Sequence, residues 1–196
     1  MVKRTGEKYE AIIDAAVKVI ARHGYHNAQV SKIAREAQVA DGTIYLYFEN
    51  KDDVLTSLFR EKMGRFIQDM ERTLADIEHP AEQLRTLIDL HFRYLEADPE
   101  LAIVTQIELR QSNPFVRKVI GQILKSYLNI IDGIIVSGQE AGIFRRNVDV
   151  KIARKMVFGT LDETVTSWIM NGRKYSLVDM VGSIHDLFLH GLTEKS

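Results

Sequence analysis

The chain has 196 residues, of which 45% are hydrophobic and 27% charged, and its formal net charge is −1. This composition is ordinary for a soluble globular protein of one or two domains. The sequence contains no cysteine, which excludes disulfides, thiol catalysis and zinc sites with cysteine ligands. The overall charge does not indicate a nucleic-acid binder, although residues 1–51 carry eight Lys and Arg against six Asp and Glu.

The beginning of the chain, MVKRTGEKYE, lacks the apolar stretch of a signal peptide. No apolar run in the sequence approaches the roughly 20 residues of a membrane span. We therefore expect a cytoplasmic protein that does not enter a membrane.

Apolar residues recur with helical spacing along nearly the whole chain, which predicts an all-α protein. Each of the three prolines follows a residue that can cap a helix, so each is expected at a first helical position. Gly24, Gly142 and Gly172 follow helical stretches and suit the left-handed position after a helix. The predicted helices are 7–23, 29–37, 41–47, 51–77, 80–96, 99–111, 114–140, 150–170 and 176–193.

The segment GIIVSG at 133–138 could be taken for a strand, but it continues the helical pattern of 114–140. Apolar residues cover about half the circumference of that helix, so we expect it at the centre of its domain.

Two apolar stripes mark the last two predicted helices. Steps of three or four residues relate most neighbouring positions, which are Ile152, Met156, Leu161, Val165 and Trp168 in one helix and Leu177, Val181, Ile184 and Phe188 in the other. Such a pair either closes the core of its own chain or meets its copy in a four-helix interface. Gly159 and Gly182 interrupt these helices at about 1 kcal/mol each relative to alanine, and close approach at an interface would offset that cost. We predict a homodimer formed through the last two helices.

The segment 29–51 contains two short helices separated by a tight turn. Ile33, Ala34 and Ile44 face inward, whereas Gly42 and Thr43 keep the leading edge of the second helix slim. This is the pattern of a helix-turn-helix, in which the second helix enters the major groove of DNA by its N-terminal residues. A plain three-helix structural unit has the same apolar pattern.

This segment resembles the TetR family of bacterial repressors over about 30 residues. The matching positions are Gly24, Tyr25, Ile33, Ala34, Ala37, Val39, Gly42, Thr43, Tyr45, Tyr47, Phe48, Lys51 and Leu55. Gln38 departs from the pattern, where the family commonly has glycine, and so does the acidic Asp41. The resemblance implies a DNA-binding domain at 1–50 and a helical ligand-binding and dimerisation domain at 51–196.

The resemblance also implies that Tyr45, Tyr47 and Lys51 contact DNA phosphates and that Phe48 belongs to the core. The complete set of predicted DNA-binding residues is Val30, Ser31, Ala40, Asp41, Thr43, Tyr45, Tyr47 and Lys51.

Within this set, Ala40, Asp41 and Thr43 are the candidates for contacts to base edges. Asp41 has a second possible role, since it could cap the recognition helix. Lys3 and Arg4 could form a minor-groove arm, although a frayed basic terminus is at least as plausible an interpretation.

Three later stretches, LAIVTQIELRQSN, LKSYLNIIDGII and FGTLDETVTSWIM, are similar to regulators of fatty acid degradation within that family. That similarity implies repression of β-oxidation genes and release by long-chain acyl-CoA. It implies no catalytic cofactor.

An acyl chain requires an apolar tunnel, and the phosphates of CoA favour cations near its mouth. We predict a tunnel lined by Ile103, Ile107, Tyr127, Ile131, Phe158 and Val165, with Arg110, Arg65 and Arg117 as anion partners. For Arg110, a structural salt bridge is an equally good interpretation. The glycines at 121, 133, 138 and 159 mark either ligand space or close helix packing.

Two other functions fit parts of the pattern. Asp162, Glu163 and Trp168 would suit a cationic drug, so a repressor of an efflux gene with a different apolar ligand is the alternative. An acyl-CoA enzyme is disfavoured because the chain has no cysteine, no GxSxG motif, no phosphate loop and no histidine cluster with metal-ligand spacing.

Overall fold

A computed structural model describes residues 5–110 and 113–192, with only the backbone at position 192. Lys3 and Arg4, the predicted minor-groove arm, lie outside the described residues. Within these ranges the regular secondary structure is entirely helical. The helices are α1 (Glu7–Asn27), α2 (Val30–Glu36), α3 (Asp41–Tyr47), α4 (Lys51–Ala75), α5 (Pro80–Ala97), α6 (Pro99–Glu108), α7 (Pro114–Glu140), α8 (Val150–Met170), a short 3-10 helix (Val178–Met180) and α9 (Val181–Leu192).

Proline and glycine set the helix boundaries as the sequence predicts. Pro80, Pro99 and Pro114 are the first residues of α5, α6 and α7. The Asn113 side-chain oxygen accepts a hydrogen bond from the Phe115 amide at 2.9 Å, and this bond satisfies a donor in the first turn of α7. The predicted segment at 133–138 lies inside α7, so its assignment to a helix is confirmed.

The predicted left-handed glycines are also confirmed. Gly24, Gly142 and Gly172 have φ of 71°, 71° and 72°. At Gly24 the chain kinks and then makes one further helical turn, so α1 extends to Asn27 instead of ending at residue 23.

Two units of internal contact divide the chain. The first comprises Met1–Arg65 and Glu100–Ile123, and the second comprises Phe66–Pro99 and Leu124–Ser196. The helix α4 is covalently continuous from the first unit into the second, and so is α7. The predicted boundary between a DNA-binding domain at 1–50 and a ligand-binding domain at 51–196 is a functional division, and it stays a prediction.

In the second unit, α9 closes the core of its own chain. All four positions of the stripe predicted for 176–193 are buried: Leu177, which precedes the 3-10 helix, and Val181, Ile184 and Phe188 of α9. Nε2–H of buried His185 donates a 2.9 Å hydrogen bond to the Ala81 carbonyl of α5, and this bond fixes α9 against that helix. The stripe of α9 is therefore not the exposed face of the helix.

The predicted stripe of α8 was wrong, because it combines two opposite faces of the helix. Leu161, Val165 and Trp168 are buried, whereas Ile152 and Met156 are 60% and 41% exposed. Nine residues separate Ile152 from Leu161, and at about 100° per residue they point in opposite directions.

One helical glycine is explained by close packing. A side chain at Gly138 would meet the Phe144 ring, so only glycine fits there. A side chain at Gly121, Gly133 or Gly159 would meet no atom within 4 Å, and all three positions are exposed. The packing interpretation thus holds for Gly138 alone.

By length and composition alone, α7 is also apolar enough to cross a membrane. The core helix of a helical protein has the same character, and the buried positions Val116, Ile120, Tyr127, Ile131 and Ile135 follow one side of α7.

Candidate DNA interface and effector region

The three N-terminal helices pack through small and branched residues. Ile12 and Ala16 of α1, Ile33 and Ala34 of α2, and Ile44 of α3 are at most 1% exposed. Small residues at the crossing allow the short helices α2 and α3 to approach α1 closely. The inward face predicted from the sequence is therefore confirmed.

Phe48 completes this core directly after α3. Its ring is 2% exposed and stacks on the Tyr9 ring of α1, with the ring centroids 5.3 Å apart. Tyr47 lies beside the same pair, 6.1 Å from the Tyr9 ring, and is half-buried. The aromatic stack fixes the end of α3 and leaves the start of the helix open to solvent.

The predicted DNA-binding residues differ in exposure. Ser31, Ala40, Asp41 and Tyr45 are exposed, and Tyr45 shows 58% of its surface. The half-buried members are Val30, Thr43, Tyr47 and Lys51. Most of the predicted surface lies in α3 and in the residue before it, as a recognition helix requires.

The two departures from the family pattern have different structural meanings. Gln38 has φ of 57°, which is a left-handed conformation that favours glycine. Asp41 is the first residue of α3 and Ala40 is its cap, so Asp41 does not cap the helix by its side chain. Asp41 is exposed, and its carboxylate favours the positive end of the helix dipole.

Lys51 anchors the kinked end of α1. Its ammonium donates to the carbonyl oxygens of Tyr25 and His26 at 2.8 and 3.0 Å. The same nitrogen lies 4.5 Å from the centroid of the Tyr25 ring. Both carbonyls follow the kink at Gly24, and the Tyr25 carbonyl also accepts from the Ala28 amide at 3.2 Å. Lys51 therefore has a structural task that sequence reasoning missed.

Tyr25 joins several further elements of the same unit. Its hydroxyl donates to Asp52 of α4, and its backbone amide donates to Glu108 at 3.1 Å. Burial first, and then the hydrogen bond to Asp52, raise the pKa of the Tyr25 hydroxyl well above its ordinary value. The other oxygen of Asp52 accepts from Asn113 at 2.8 Å. This set ties the ends of α1 and α6 to the starts of α4 and α7.

The predicted effector residues of the first unit lie mostly at its surface. Arg65 is exposed and pairs with Glu10 at 3.0 Å and Glu61 at 3.5 Å. The guanidinium of Arg110 donates to the Gln106 carbonyl at 2.9 Å. The remaining members are Ile103, which is half-buried, and Ile107 and Arg117, which are exposed.

The expectation that Ile107 lines an apolar tunnel is not met inside its own unit, because 60% of its surface is exposed. Helical spacing places Ile107 on the same side of α6 as Ile103, which is half-buried.

The predicted effector residues of the second unit are better buried. Tyr127, Ile131 and Val165 are at most 3% exposed, and Phe158 is half-buried. The Tyr127 and Phe158 rings meet edge to face, with their centroids 6.1 Å apart.

An aromatic cluster surrounds Tyr127, and we define it as Phe66, His91, Phe92, Tyr94, Tyr127 and Phe158. The Tyr127 hydroxyl lies 2.9 Å from Nδ1 of His91. Burial lowers the pKa of His91 to about 4 and raises the pKa of Tyr127. His91 was not predicted from the sequence, where a lone histidine on an apolar face carries no signal of its own.

Across the described part of the chain, no group of three or more His, Asp or Glu side chains could hold a metal ion.

A three-helix unit with one buried face and a short exposed helix defines a helix-turn-helix DNA-binding regulator. Residues 12–58 match the bacterial regulatory proteins of the tetR family, and residues 59–191 match the family described as YsiA-like protein, C-terminal region. The chain belongs to the TetR family, and it is a transcriptional regulator and not an enzyme.

Individual relatives are similar to this chain over nearly its full length. The fatty acid metabolism regulator protein of Bacillus subtilis is 54% identical over 193 residues, which are 98% of this chain and 100% of the relative. The crystal structure of the regulator FadR from Bacillus subtilis in complex with stearoyl-CoA has a TM-score of 0.90 and 55% identity, and the match covers 93% of this chain and 98% of that one. The fatty acid degradation regulator FadR from Bacillus halodurans has a TM-score of 0.89 and 54% identity over 94% of this chain and 99% of that one.

Proposed function

We propose that this protein represses fatty acid degradation genes by binding a palindromic operator as a dimer, and that long-chain acyl-CoA releases it. The observation that carries the proposal is the 54% identity to a fatty acid metabolism regulator over nearly the whole chain. Stearoyl-CoA is the ligand of one similar structure, and we transfer that class of effector to this chain. A repressor of this kind acts in the cytoplasm, where its operator and effector meet.

We propose that residues 1–50 bind DNA and that residues 51–196 bind the effector and form the dimer. In the DNA-binding domain, we infer base-edge contacts by Ala40 and Asp41, which are exposed, and by Thr43, which is half-buried. Tyr45, with 58% of its surface free, and Ser31 at the start of α2 are suited to phosphates. Lys51 can reach a phosphate only by sharing an ammonium that already holds two carbonyls.

The proposed dimer uses the outer faces of the last two helices. Ile152 and Met156 of α8 and Leu187 of α9 are 60%, 41% and 70% exposed. Gly159 and Gly182 are also exposed and have open space around their Cα atoms, which would allow a second copy to approach closely. This face replaces the buried stripes as the proposed contact.

Release requires the effector to bind one conformation better than the other, since equal affinity would shift no population. Dimeric helix-turn-helix proteins place their recognition helices about 34–36 Å apart, one turn of DNA. We propose that acyl-CoA stabilises a dimer whose recognition helices no longer match that spacing. The acyl chain would lie against Tyr127, Ile131, Phe158 and Val165 of the second unit.

The test is a titration of the protein onto labelled DNA from upstream of its own gene at one stated salt concentration. We expect tight binding that stearoyl-CoA reverses and that free CoA and free stearate leave in place. Binding that ignores all three compounds would reject acyl-CoA as effector. If this fragment and a random-sequence selection both gave no binding, the repressor itself would be rejected.

A further inference from the structure

A polar pair lies inside the aromatic cluster of the second unit. His91 and Tyr127 are 6% and 3% exposed, and the hydroxyl of Tyr127 lies 2.9 Å from Nδ1 of His91. The second ring nitrogen of His91, Nε2, has less than 1 Å² of accessible surface and no hydrogen-bond partner among the described residues. One edge of the imidazole is thus satisfied and the other is not.

The Tyr127 bond determines which nitrogen of His91 carries the proton. A phenol is the better donor of the two groups and a neutral imidazole nitrogen is a good acceptor. We therefore assign Tyr127 as the donor to Nδ1, which places the ring proton of neutral His91 on Nε2. The unsatisfied atom is then an N–H donor.

Aromatic rings pack against the His91 ring. The rings of Phe66 and Phe92 lie 6.2 and 5.9 Å from the His91 ring, both near perpendicular to it. Neither offers a conventional acceptor. A buried donor without an acceptor destabilises a fold. An acceptor on a bound ligand would satisfy this donor and would explain why the chain keeps a histidine there.

We propose that Nε2–H of His91 donates a hydrogen bond to the thioester carbonyl oxygen of the bound acyl-CoA, with Tyr127 as the positioning residue that holds the tautomer. The inference rests on the proposed function, because it names a contact of the same effector site. Tyr127 and Phe158, whose rings are 6.1 Å apart, would then flank the start of the acyl chain.

The chemistry of the donor favours an uncharged carbonyl, and the thioester carbonyl is the one that adjoins the acyl chain. The alkyl chain has no polar atom, and the phosphates of CoA favour cations. A neutral N–H among aromatic rings suits an uncharged carbonyl, whereas the carboxylate of a free fatty acid would be buried without a counter-charge. The contact therefore distinguishes an acyl-CoA from the free acid.

The first experiment changes only the ligand. Wild-type protein is titrated with stearoyl-CoA and with S-octadecyl-CoA, a thioether that has the same chain length and lacks the carbonyl. We expect the thioether to bind about tenfold more weakly, as the loss of one hydrogen bond to a buried donor predicts. Equal affinities would overturn the inference and leave the proposed function intact. If neither compound bound or released the operator, the proposed function would fail and the inference with it.

The second experiment changes the ring. His91→Asn keeps a polar group near the position of Nδ1 and removes Nε2, so we expect its thioester preference to disappear. His91→Gln places an amide near Nε2 and should recover part of the preference. His185→Asn is the matched control, because His185 is also buried in this unit but its Nε2 already bonds Ala81 at 2.9 Å. A thioester preference retained in His91→Asn would overturn the inference.

A spectroscopic measurement tests the contact directly. Stearoyl-CoA labelled with ¹³C at the thioester carbonyl should show its infrared carbonyl band at lower wavenumber when bound to wild-type protein than in an apolar solvent. The shift should be absent in His91→Asn if that variant folds. A wild-type band at the frequency of the free ligand in an apolar solvent would contradict the proposed hydrogen bond.

Discussion

The Lys51 ammonium donates to the Tyr25 carbonyl at 2.8 Å while lying 4.5 Å from the centroid of the same residue's ring. One side chain from the start of α4 thus satisfies the end of α1 after its kink at Gly24. Lys51 matches a family position implied to contact phosphate, so a single residue would connect the stability of the DNA-binding unit to its operator affinity.

Replacing Lys51 with Met should destabilise the protein in the absence of DNA. Two charge-assisted hydrogen bonds are lost and two carbonyls are left without this donor, so we expect a decrease of about 1.5–3 kcal/mol in the free energy of unfolding. Urea unfolding measures it. Lys18→Met is the control, since Lys18 has only an exposed ion pair with Glu36 at 3.9 Å and should cost less than about 0.5 kcal/mol. Equal stability of Lys51→Met and wild type would mean that Lys51 serves DNA alone.

Replacing Gln38 with Gly should stabilise the protein. A left-handed conformation costs a residue with a side chain about 1–2 kcal/mol, and glycine avoids that cost but loses more chain entropy on folding. We expect a net gain of about 0.5–1 kcal/mol in thermal or urea unfolding. Gln122→Gly on the exposed surface of α7 is the opposite control and should lose about 1 kcal/mol. A loss of stability in Gln38→Gly would show that the Gln38 side chain makes a contact worth more than the strain.

Replacing Gly42 with Ala should separate stability from DNA binding. A side chain at Gly42 meets no atom within 4 Å, so alanine fits the free protein and should raise helix stability by up to about 1 kcal/mol. The added methyl group would project from the exposed start of α3, and we expect at least a tenfold weaker operator complex. Gel-shift titration and thermal unfolding measure the two effects.

Gly64 provides the comparison for Gly42, because it also has open space around it and lies in α4, away from α3 in the sequence. Gly64→Ala should gain stability and keep the operator affinity of wild type. If both alanine variants bound operator equally well, the slim edge of α3 would have no role in DNA binding.

His91 should make stability fall in mildly acidic solution. Burial lowers its pKa to about 4 from an ordinary value of 6.5, so the unfolded chain takes up a proton that the folded chain refuses. The contribution of neutral His91 to the free energy of unfolding is therefore complete above pH 6.5 and is lost as the pH falls from 6.5 towards 4. Burial raises the pKa of Tyr127, the titratable hydrogen-bond partner of His91, so Tyr127 stays neutral throughout this range.

Between pH 7 and pH 5, protonation of this one histidine should lower the free energy of unfolding by about 2 kcal/mol. Urea unfolding at pH 7 and pH 5 measures this decrease in the wild type and in His91→Gln. The decrease should be about 2 kcal/mol smaller in the variant. The comparison cancels the other five histidines, which both proteins share. Parallel decreases in the two proteins would show that His91 titrates normally.

The sequence by itself determined the helices and the identity of the family. Proline at helix starts and glycine after helix ends act through local geometry, so Pro80, Pro114 and Gly142 could be assigned without any knowledge of packing. The aromatic and small residues of α3 also act locally, because the proposed recognition element is itself a short slim helix.

Only the tertiary structure decided which faces are covered. Helical periodicity fixes the angle between residues but not which neighbour a face meets, so Ile152 and Leu161 could be assigned to one stripe although they point in opposite directions. The bonds from Lys51 to Tyr25 and from Tyr127 to His91 join residues 26 and 36 positions apart. Such contacts arise only when the helices have packed, because no local pattern in the sequence relates residues at that separation.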